Sequence, residues 1–183
     1  GVDHLAESVA NALRAVDLAV LVVPDVMRYK WGKLIANLGN AVGAITDASD
    51  ARTERITEAA RREARAILAR AGVDWLPHEQ LREEWSGLER PVRGRVNLQA
   101  YSSTWQSLMR RVGTAEAEHL NGEIVRLGQQ VGMEAPINSA LTRIVMDMAG
   151  RSDPPGRYTP TELCALLGLV RDDGGEIVSQ RGG

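Results

Sequence analysis

The sequence predicts an all-α fold, preceded by one short helix and one short strand. Apolar residues recur at helical spacing along most of the 183-residue chain, and capping residues or glycines separate the helical stretches. The exception is the β-branched run Leu18–Val23, which ends at Pro24 and is typical of a strand. A lone strand has no pairing partner, so either another chain completes its sheet or residues 1–24 are the tail of a domain that begins before this chain. We expect the second, with residues 25–183 forming a helical domain.

The bulk composition argues against several classes of function. A formal charge of −2 gives no general attraction to nucleic acid or to anionic membranes. The single cysteine, Cys164, excludes an internal disulfide and a cysteine-rich zinc site, and three dispersed histidines do not resemble a set of metal ligands. No segment approaches the ~20 apolar residues of a membrane span, and the start lacks the pattern of a signal peptide. We therefore expect a cytoplasmic protein with no metal site and no nucleic-acid or membrane partner.

The chain is organised around a predicted helix over residues 25–46. Its apolar face is a stripe at helical spacing, formed by Met27, Trp31, Leu34, Leu38, Val42 and Ile45. The opposite face carries Lys33, Asn37 and Asn40 at i, i+4 and i+7, with no acidic residue after Asp25. Asparagine is a mediocre helix former, so two on one face need a reason. One is a cleft wall that holds a polar ligand, with Lys33 as the cation; the other is a helix packed on both sides, its asparagines bonding neighbouring backbone.

Two further helices are predicted before the middle of the chain. Asp50 is a suitable N-cap for a helix over residues 51–71, and Gly72 ends that helix. Residues 76–89 have the pattern of a shorter helix. The segment 89–95 that follows is a basic loop, which suits either phosphate contact or ordinary surface.

The second candidate for function lies in the next helical stretch. Ser102 and Ser103 precede a helix, where hydroxyls act first as N-caps and can also present donors to a carboxylate. If the helix continues through Gly113, Glu116 falls on its apolar stripe. A buried carboxylate needs a partner or takes up a proton, and the available cation on an otherwise uncharged face is Lys33. A structural salt bridge and a catalytic pair both remain open.

Two predicted helices complete the chain. Pro136 begins one of them, and Thr159 followed by a proline begins the other, over residues 161–170. The tail 172–183 has the composition of a frayed end.

Four sequence segments together resemble the C-terminal region of the ketopantoate reductase family (2-dehydropantoate 2-reductases). In order they are Lys30-Trp-Gly-Lys33-Leu-Ile-Ala-Asn37-Leu-Gly-Asn40, Ser102-Ser103-x-x-Gln106, Glu116-x-Glu118-x-Leu-Asn121-Gly122 and Gly132-x-x-x-Pro136-x-Asn138. The resemblance implies that residues 1–24 are the last helix and strand of the family's N-terminal Rossmann-type domain. It implies that residues 25–183 are its all-helical domain, related to the C-terminal domain of 6-phosphogluconate dehydrogenase.

The resemblance also implies an activity. That activity is the NADPH-dependent reduction of a 2-oxo acid, 2-dehydropantoate to pantoate, in pantothenate biosynthesis, with the active site between the two domains. Because this chain holds no G-x-G-x-x-G turn, NADPH would be bound mainly by the N-terminal domain, and the chain alone would be inactive. A homodimer is expected. The alternative is a non-catalytic helical binding or dimerisation module with the same fold.

The resemblance assigns roles residue by residue. Lys33 falls on the family's proton-donating lysine, and Asn37 falls on a substrate-binding asparagine. Asn40, also expected to bind substrate, lies one residue short of a second asparagine found in some members. Ser103 matches a substrate-contacting serine, and Glu116 matches an acidic residue close to the lysine and the cofactor, with a catalytic role.

Three departures from the family pattern surround these residues. Ala115 stands where the family usually has threonine, and Glu118 stands where it usually has aspartate. The spacing from serine to glutamate is one residue longer than in some relatives. These departures leave the chemistry in place and the identity of the substrate open.

Overall fold

A computed structural model of the chain describes residues 2–86, 101–111 and 113–169. Within these ranges it contains nine α-helices and no strand. The helices are α1 (His4–Arg14), α2 (Val26–Asn37), α3 (Gly39–Thr46), α4 (Ala51–Arg70), α5 (His78–Ser86), α6 (Ser103–Arg110), α7 (Asn121–Val131), α8 (Pro136–Arg151) and α9 (Pro160–Leu166). A 3₁₀ turn, Glu116–Glu118, lies between α6 and α7. The predicted all-α fold is confirmed for the described residues.

The described residues form two compact units. The first unit holds those of Gly1–Ala36 and Asp74–Gln99, which include α1, most of α2 and α5. The second unit holds those of Asn37–Val73 and Ala100–Gly183, which include the other six helices. The boundary between the units falls at Asn37, the last residue of α2.

The core of the second unit is built from α3, α4 and α8, which contact one another, with α6, α7 and α9 packed around them. Its fully buried apolar side chains include Leu38, Val42, Ile45, Ile56, Ile67, Leu68, Leu108, Ile124, Leu141, Met148 and Leu163. Burial of a side chain of this size stabilises the fold by roughly 1.5–3 kcal/mol. The apolar stripe predicted for residues 25–46 is fully buried at Leu38, Val42 and Ile45, whereas Met27 is 48% exposed.

Helix α4 begins and ends where the sequence predicts. Asp50 caps it by accepting from the Thr53 backbone N–H at 2.9 Å, and the Thr53 hydroxyl accepts from the Asp50 backbone N–H at 2.9 Å. This reciprocal pair is a capping box. Gly72 ends the helix at a φ of +67°, in the left-handed region that favours glycine. The helices predicted at α1, α5, α8 and α9 are likewise present within the described residues.

The strand predicted at Leu18–Val23 is not formed. These residues are irregular, and the described part of the chain offers no strand with which their backbone could pair. The carbonyl oxygen of Val20 instead accepts from the Arg14 guanidinium, at 3.3 Å from Nε and 3.0 Å from Nη2. Helix α1 is present and is capped by Asp3. The assignment of residues 1–24 to a Rossmann-type domain stays a prediction.

Two helical stretches of the sequence are interrupted in the structure. The helix over residues 25–46 breaks at Leu38 into α2 and α3. The helix whose continuation through Gly113 the sequence leaves open ends before that residue, because Arg111 and Gly113 adopt φ values of +53° and +76°, outside the range of a right-handed helix. The chain then resumes as the 3₁₀ turn and α7. This second break changes the register that would have placed Glu116 on an apolar stripe.

Two predicted segments, the basic loop 89–95 and the tail 172–183, lie outside the described residues. In the part of the chain that is described, every helix is too short or too polar to cross a bilayer. The same residues contain no group of three or more His, Cys, Asp or Glu side chains that could hold a metal ion.

Candidate functional site

Two predicted site residues, a serine and a glutamate, contact each other directly. Ser102 caps α6, and its Oγ accepts from the Trp105 backbone N–H at 3.2 Å. Ser103, the first residue of α6, instead donates its hydroxyl proton to Oε2 of Glu116, 13 residues further along the chain. A hydroxyl bound to a carboxylate makes a charge-assisted hydrogen bond, which is stronger than a neutral one. This bond ties the 3₁₀ turn to the start of α6.

Glu116 is exposed, so the prediction that it interrupts a buried apolar stripe is wrong. It begins the 3₁₀ turn, and its neighbours Ala115 and Ala117 are the buried residues. An exposed carboxylate stays hydrated and needs no buried cation. Glu116 therefore presents its charge at the surface of the second unit, with Ser103 bound to one oxygen.

Asn37 and Asn40 flank the break between α2 and α3. Asn37 is the last residue of α2, and Asn40 is the second residue of α3. Both side chains are half-buried, and neither has a hydrogen-bond partner among the described residues of the second unit. The predicted alternative, in which these amides bond neighbouring backbone, is therefore not what the described residues show. Half-buried amides without protein partners are free to bind a ligand.

Lys33 lies one helical turn before Asn37 on α2, and its side chain is exposed. Its ammonium lies 5.8 Å from the centroid of the Trp85 ring on α5, within the range of a cation–π interaction. Within the first unit, the described residues provide no carboxylate at ion-pair distance from Lys33.

Helix α2 and the segment before α5 approach each other closely at Gly32. A Cβ built on Gly32 would lie 2.2 Å from the carbonyl oxygen of Leu76. The Leu76 backbone N–H donates to the Arg28 carbonyl at 3.0 Å, and Arg28 also pairs with Asp74 at 2.7 Å. These contacts fix the segment beside Lys33. The glycine within the motif Lys30-Trp-Gly-Lys33 is the sequence signal that marks this contact.

Tyr29, one helical turn before Lys33 on α2, has a shifted pKa. Tyr29 donates its hydroxyl proton to Oε2 of Glu84 on α5 at 2.5 Å. This hydrogen bond raises the pKa of Tyr29, because the phenolate would lose the bond and would face a negative carboxylate.

The structure brings some of the predicted site residues together. Ser103 and Glu116 are in contact, and α3, which carries Asn40, packs against α6, which carries Ser103. Lys33 shares α2 with Asn37 but belongs to the first unit. The predicted approach of Lys33 to Glu116 stays a prediction.

Asn121 and Asn138 belong to the motifs that carry the family resemblance, although no site role was predicted for them. Both are fully buried in the second unit, and they are hydrogen-bonded to each other. Both asparagines stand in the first turn of a helix, Asn121 in α7 and Asn138 in α8. An asparagine near a helix start is usually interpreted as a cap at the surface, so the sequence alone does not reveal that these two are buried.

An open groove of about 640 Å³ lies between α3 and α4 in the second unit. Its lining includes Gly39, Gly43, Thr53, Thr57 and Glu58. None of the five predicted site residues contributes to this lining.

Comparison with known proteins identifies similar sequences and structures. Residues 25–149 match the protein family described as ketopantoate reductase PanE/ApbA C terminal. A 2-dehydropantoate 2-reductase of Archaeoglobus fulgidus is 26% identical over 147 residues, covering 76% of this chain and 47% of the relative. The crystal structure of a PanE/ApbA family ketopantoate reductase from Ralstonia eutropha is similar at a TM-score of 0.64 and 26% identity, covering 80% of this chain and 49% of that one. The chain therefore spans about half the length of both relatives.

Proposed function

Because the chain belongs to the family of ketopantoate reductase C-terminal domains, we propose that it is the substrate-binding and proton-donating half of an enzyme that reduces a 2-oxo acid with NADPH. The proposed substrate is 2-dehydropantoate, after which the archaeal relative is named. In this proposal Lys33 donates the proton. Asn37, Asn40 and Ser103 bind the substrate, and Glu116 positions Ser103 and faces the cofactor.

The observation that carries the proposal is the pair of free amides beside the α2–α3 break. Asn37 and Asn40 are half-buried without protein hydrogen-bond partners among the described residues of their unit. Neither amide is among the fully buried unpaired polar groups of the described residues, so water can bond them until a ligand displaces it. Their positions in the family motif favour the substrate as that ligand. Amides offer both donors and acceptors, which suits a substrate that carries a carboxylate and a hydroxyl.

Lys33 suits the role of general acid. Reduction of a ketone leaves negative charge on the carbonyl oxygen, and this oxygen must gain a proton. An ammonium on a helix supplies that proton, and its charge stabilises the developing alkoxide. Lys33 is exposed and has an aromatic neighbour, and no acid lies at ion-pair distance from it among the described residues of its unit. Its ammonium is therefore available to a substrate.

The direction of the Ser103 hydrogen bond limits what Ser103 can recognise. A hydroxyl has one proton, and Ser103 donates it to Glu116. The lone pairs of its oxygen then accept from a donor. Ser103 is therefore suited to a substrate hydroxyl rather than to a substrate carboxylate, in agreement with a hydroxylated 2-oxo acid.

The described residues fit one end of NADPH. The exposed carboxylate of Glu116 can accept from a ribose hydroxyl or a carboxamide N–H at the reactive end of the cofactor. Neither a strand nor a glycine-rich turn for the phosphates is present in the described residues. NADPH, when bound, supplies the hydride to the keto carbon. This chain then binds and orients the substrate and provides the proton.

The first unit carries an apolar surface that suits a dinucleotide-binding domain. Leu5, Val9 and Leu13, on one face of α1, are 70%, 50% and 37% exposed. Leu18 and Leu21, just after the helix, are also exposed. Contiguous exposed apolar side chains mark an interaction surface. In this proposal the surface packs against the rest of the N-terminal Rossmann-type domain that the enzyme requires.

The test has two arms. In the first, pantoate and 2-dehydropantoate are titrated onto the 183-residue chain by calorimetry, with Asn37→Ala as the variant and Lys30→Ala, on the same helix, as the matched control. Binding that Asn37→Ala weakens about tenfold, while Lys30→Ala leaves it unchanged, supports the site. In the second, the chain joined to a dinucleotide-binding domain is assayed for NADPH oxidation. Binding of substrate without turnover would favour a non-catalytic binding module, and no binding in the first arm contradicts the proposed site.

A further inference from the structure

A buried hydrogen bond reaches the break between α2 and α3 from the far side. The break falls at Leu38, which is fully buried and stands between Asn37 and Gly39. The carbonyl oxygen of Leu38 accepts from Nδ2 of Asn121 at 3.3 Å, a bond that spans 83 residues. Leu38 keeps right-handed helical dihedrals, with φ −59° and ψ −26°, so the junction interrupts the helical hydrogen bonds without a sharp turn of the chain. Asn121 anchors the carbonyl oxygen at this junction.

Asn121 is itself held by a second asparagine and a glutamate. Its Nδ2 also donates to Oδ1 of Asn138 at 3.0 Å. Asn138 in turn donates through Nδ2 to the carbonyl of Ala60 at 3.0 Å and to Oε2 of Glu63 at 2.8 Å. The network therefore runs from α4 through α8 and α7 to the break, and all of its members belong to the second unit.

The network dictates which way the amide of Asn121 points. If the amide were flipped, its oxygen would face two acceptors, the carbonyl of Leu38 and Oδ1 of Asn138. In the orientation observed, Oδ1 of Asn121 is buried without a hydrogen-bond partner among the described residues. An unpaired buried acceptor is unfavourable for stability.

The break is also fixed on its other side. A Cβ on Gly39 would lie 2.8 Å from Cγ2 of Thr57 on α4, so α3 begins in close contact with α4. Asn121 holds the carbonyl before this point, and Thr57 abuts the residue after it. Asn37 and Asn40 are the polar residues immediately outside these two contacts.

We propose that Asn121 is a positioning residue, which anchors the Leu38 carbonyl at the junction of α2 and α3 and thereby places the amides of Asn37 and Asn40 for substrate. The anchoring bond lies entirely within the second unit. The consequence for substrate rests on the function proposed above. Loss of the Nδ2 donor releases the Leu38 carbonyl, and the first turn of α3 then opens more readily.

The first test is hydrogen–deuterium exchange of the 183-residue chain. In Asn121→Ala, exchange in a peptide covering residues 37–46 should rise about tenfold more than exchange in a peptide covering residues 141–149 of α8. The control is Ile67→Ala, a fully buried position on α4 outside the network, in which both peptides should rise equally. An equal rise of both peptides in Asn121→Ala would show a merely structural role and would overturn the proposal.

Two further measurements keep the proposal testable. If Asn121→Ala does not fold, the two Nδ2 protons of Asn121 in the wild-type chain are followed by NMR; slow exchange with solvent is expected, and fast exchange overturns the proposal. In the complete enzyme, Asn121→Ala should raise KM for the 2-oxo acid about tenfold and change kcat less than about twofold. An unchanged KM contradicts the positioning role. Absence of any NADPH oxidation in the wild type counts against the proposed function instead, and the exchange experiment still decides the role of Asn121.

Discussion

Glu63 provides the clearest stability prediction, because it caps a helix that is not its own. Helix α8 has no capping side chain at its own N-terminus. Glu63 on α4 accepts instead from the backbone N–H groups of Ile137 and Asn138, at 2.8 and 3.0 Å, and from the Asn138 side chain at 2.8 Å. A carboxylate at this position satisfies orphan donors and interacts favourably with the positive end of the helix dipole.

The substitution Glu63→Gln keeps the shape of the side chain and removes its charge and one acceptor. Loss of one charge-assisted hydrogen bond costs about 1.5–3 kcal/mol. Loss of the charge at the helix N-terminus adds about 0.3–1 kcal/mol. The expected decrease in the free energy of unfolding is therefore roughly 2–4 kcal/mol.

The assay is urea unfolding, followed by circular dichroism. With a slope of about 2 kcal/mol per molar urea, the midpoint should fall by roughly 1–2 M. The control is Glu58→Gln on the same helix, because Glu58 forms an exposed ion pair with Arg65. Such a pair contributes about 0–1 kcal/mol. A midpoint for Glu63→Gln no lower than that of Glu58→Gln would refute the capping role.

Two other predictions concern the first unit. Gly32→Ala should lower stability by about 1–3 kcal/mol, because its Cβ would clash with the Leu76 carbonyl at 2.2 Å; Gly150→Ala, where a Cβ meets nothing within 4 Å, should instead be neutral or stabilising in thermal unfolding. Tyr29 should titrate above its ordinary pKa, because it donates to Glu84. The hydrogen bond from Tyr29 contributes fully to stability at pH values below the pKa of the tyrosine in the unfolded chain. This contribution is lost as the pH rises through the raised pKa of Tyr29 in the folded chain. Ultraviolet titration of the wild type against Glu84→Gln measures this, and identical phenolate curves would contradict it.

Local signals were enough to predict most of the helices. The capping residue Asp50 and the terminal Gly72 lie next to the helix that they delimit, so the bounds of α4 could be read from neighbouring residues. The same holds for Ser102 at the start of α6. The position of Ser103 in the first turn of α6 followed from this signal, whereas Asn37 and Asn40 were predicted on one continuous helix and lie on two.

The remaining features depend on residues distant in sequence. The break at Leu38 involves Asn121, 83 residues away, and no local pattern reveals that hydrogen bond. The exposure of Glu116 depends on the left-handed backbone conformation of Arg111. Arginine rarely adopts this conformation, so the sequence does not predict it. The run Leu18–Val23 has the composition of a strand, but a strand forms only where another strand supplies hydrogen bonds.

The measurement that tests the central claim most directly is the turnover of Lys33→Ala in the complete enzyme. If Lys33 donates the proton, kcat should fall by roughly two to four decades. Stability should change little, because the cation–π contact with Trp85 that is lost is worth about 0.5–1 kcal/mol at an exposed site. Lys30→Ala, on the same helix, serves as the control and should keep wild-type turnover. Near-normal kcat in Lys33→Ala, together with a large loss of stability, would show that Lys33 is structural and would contradict the account.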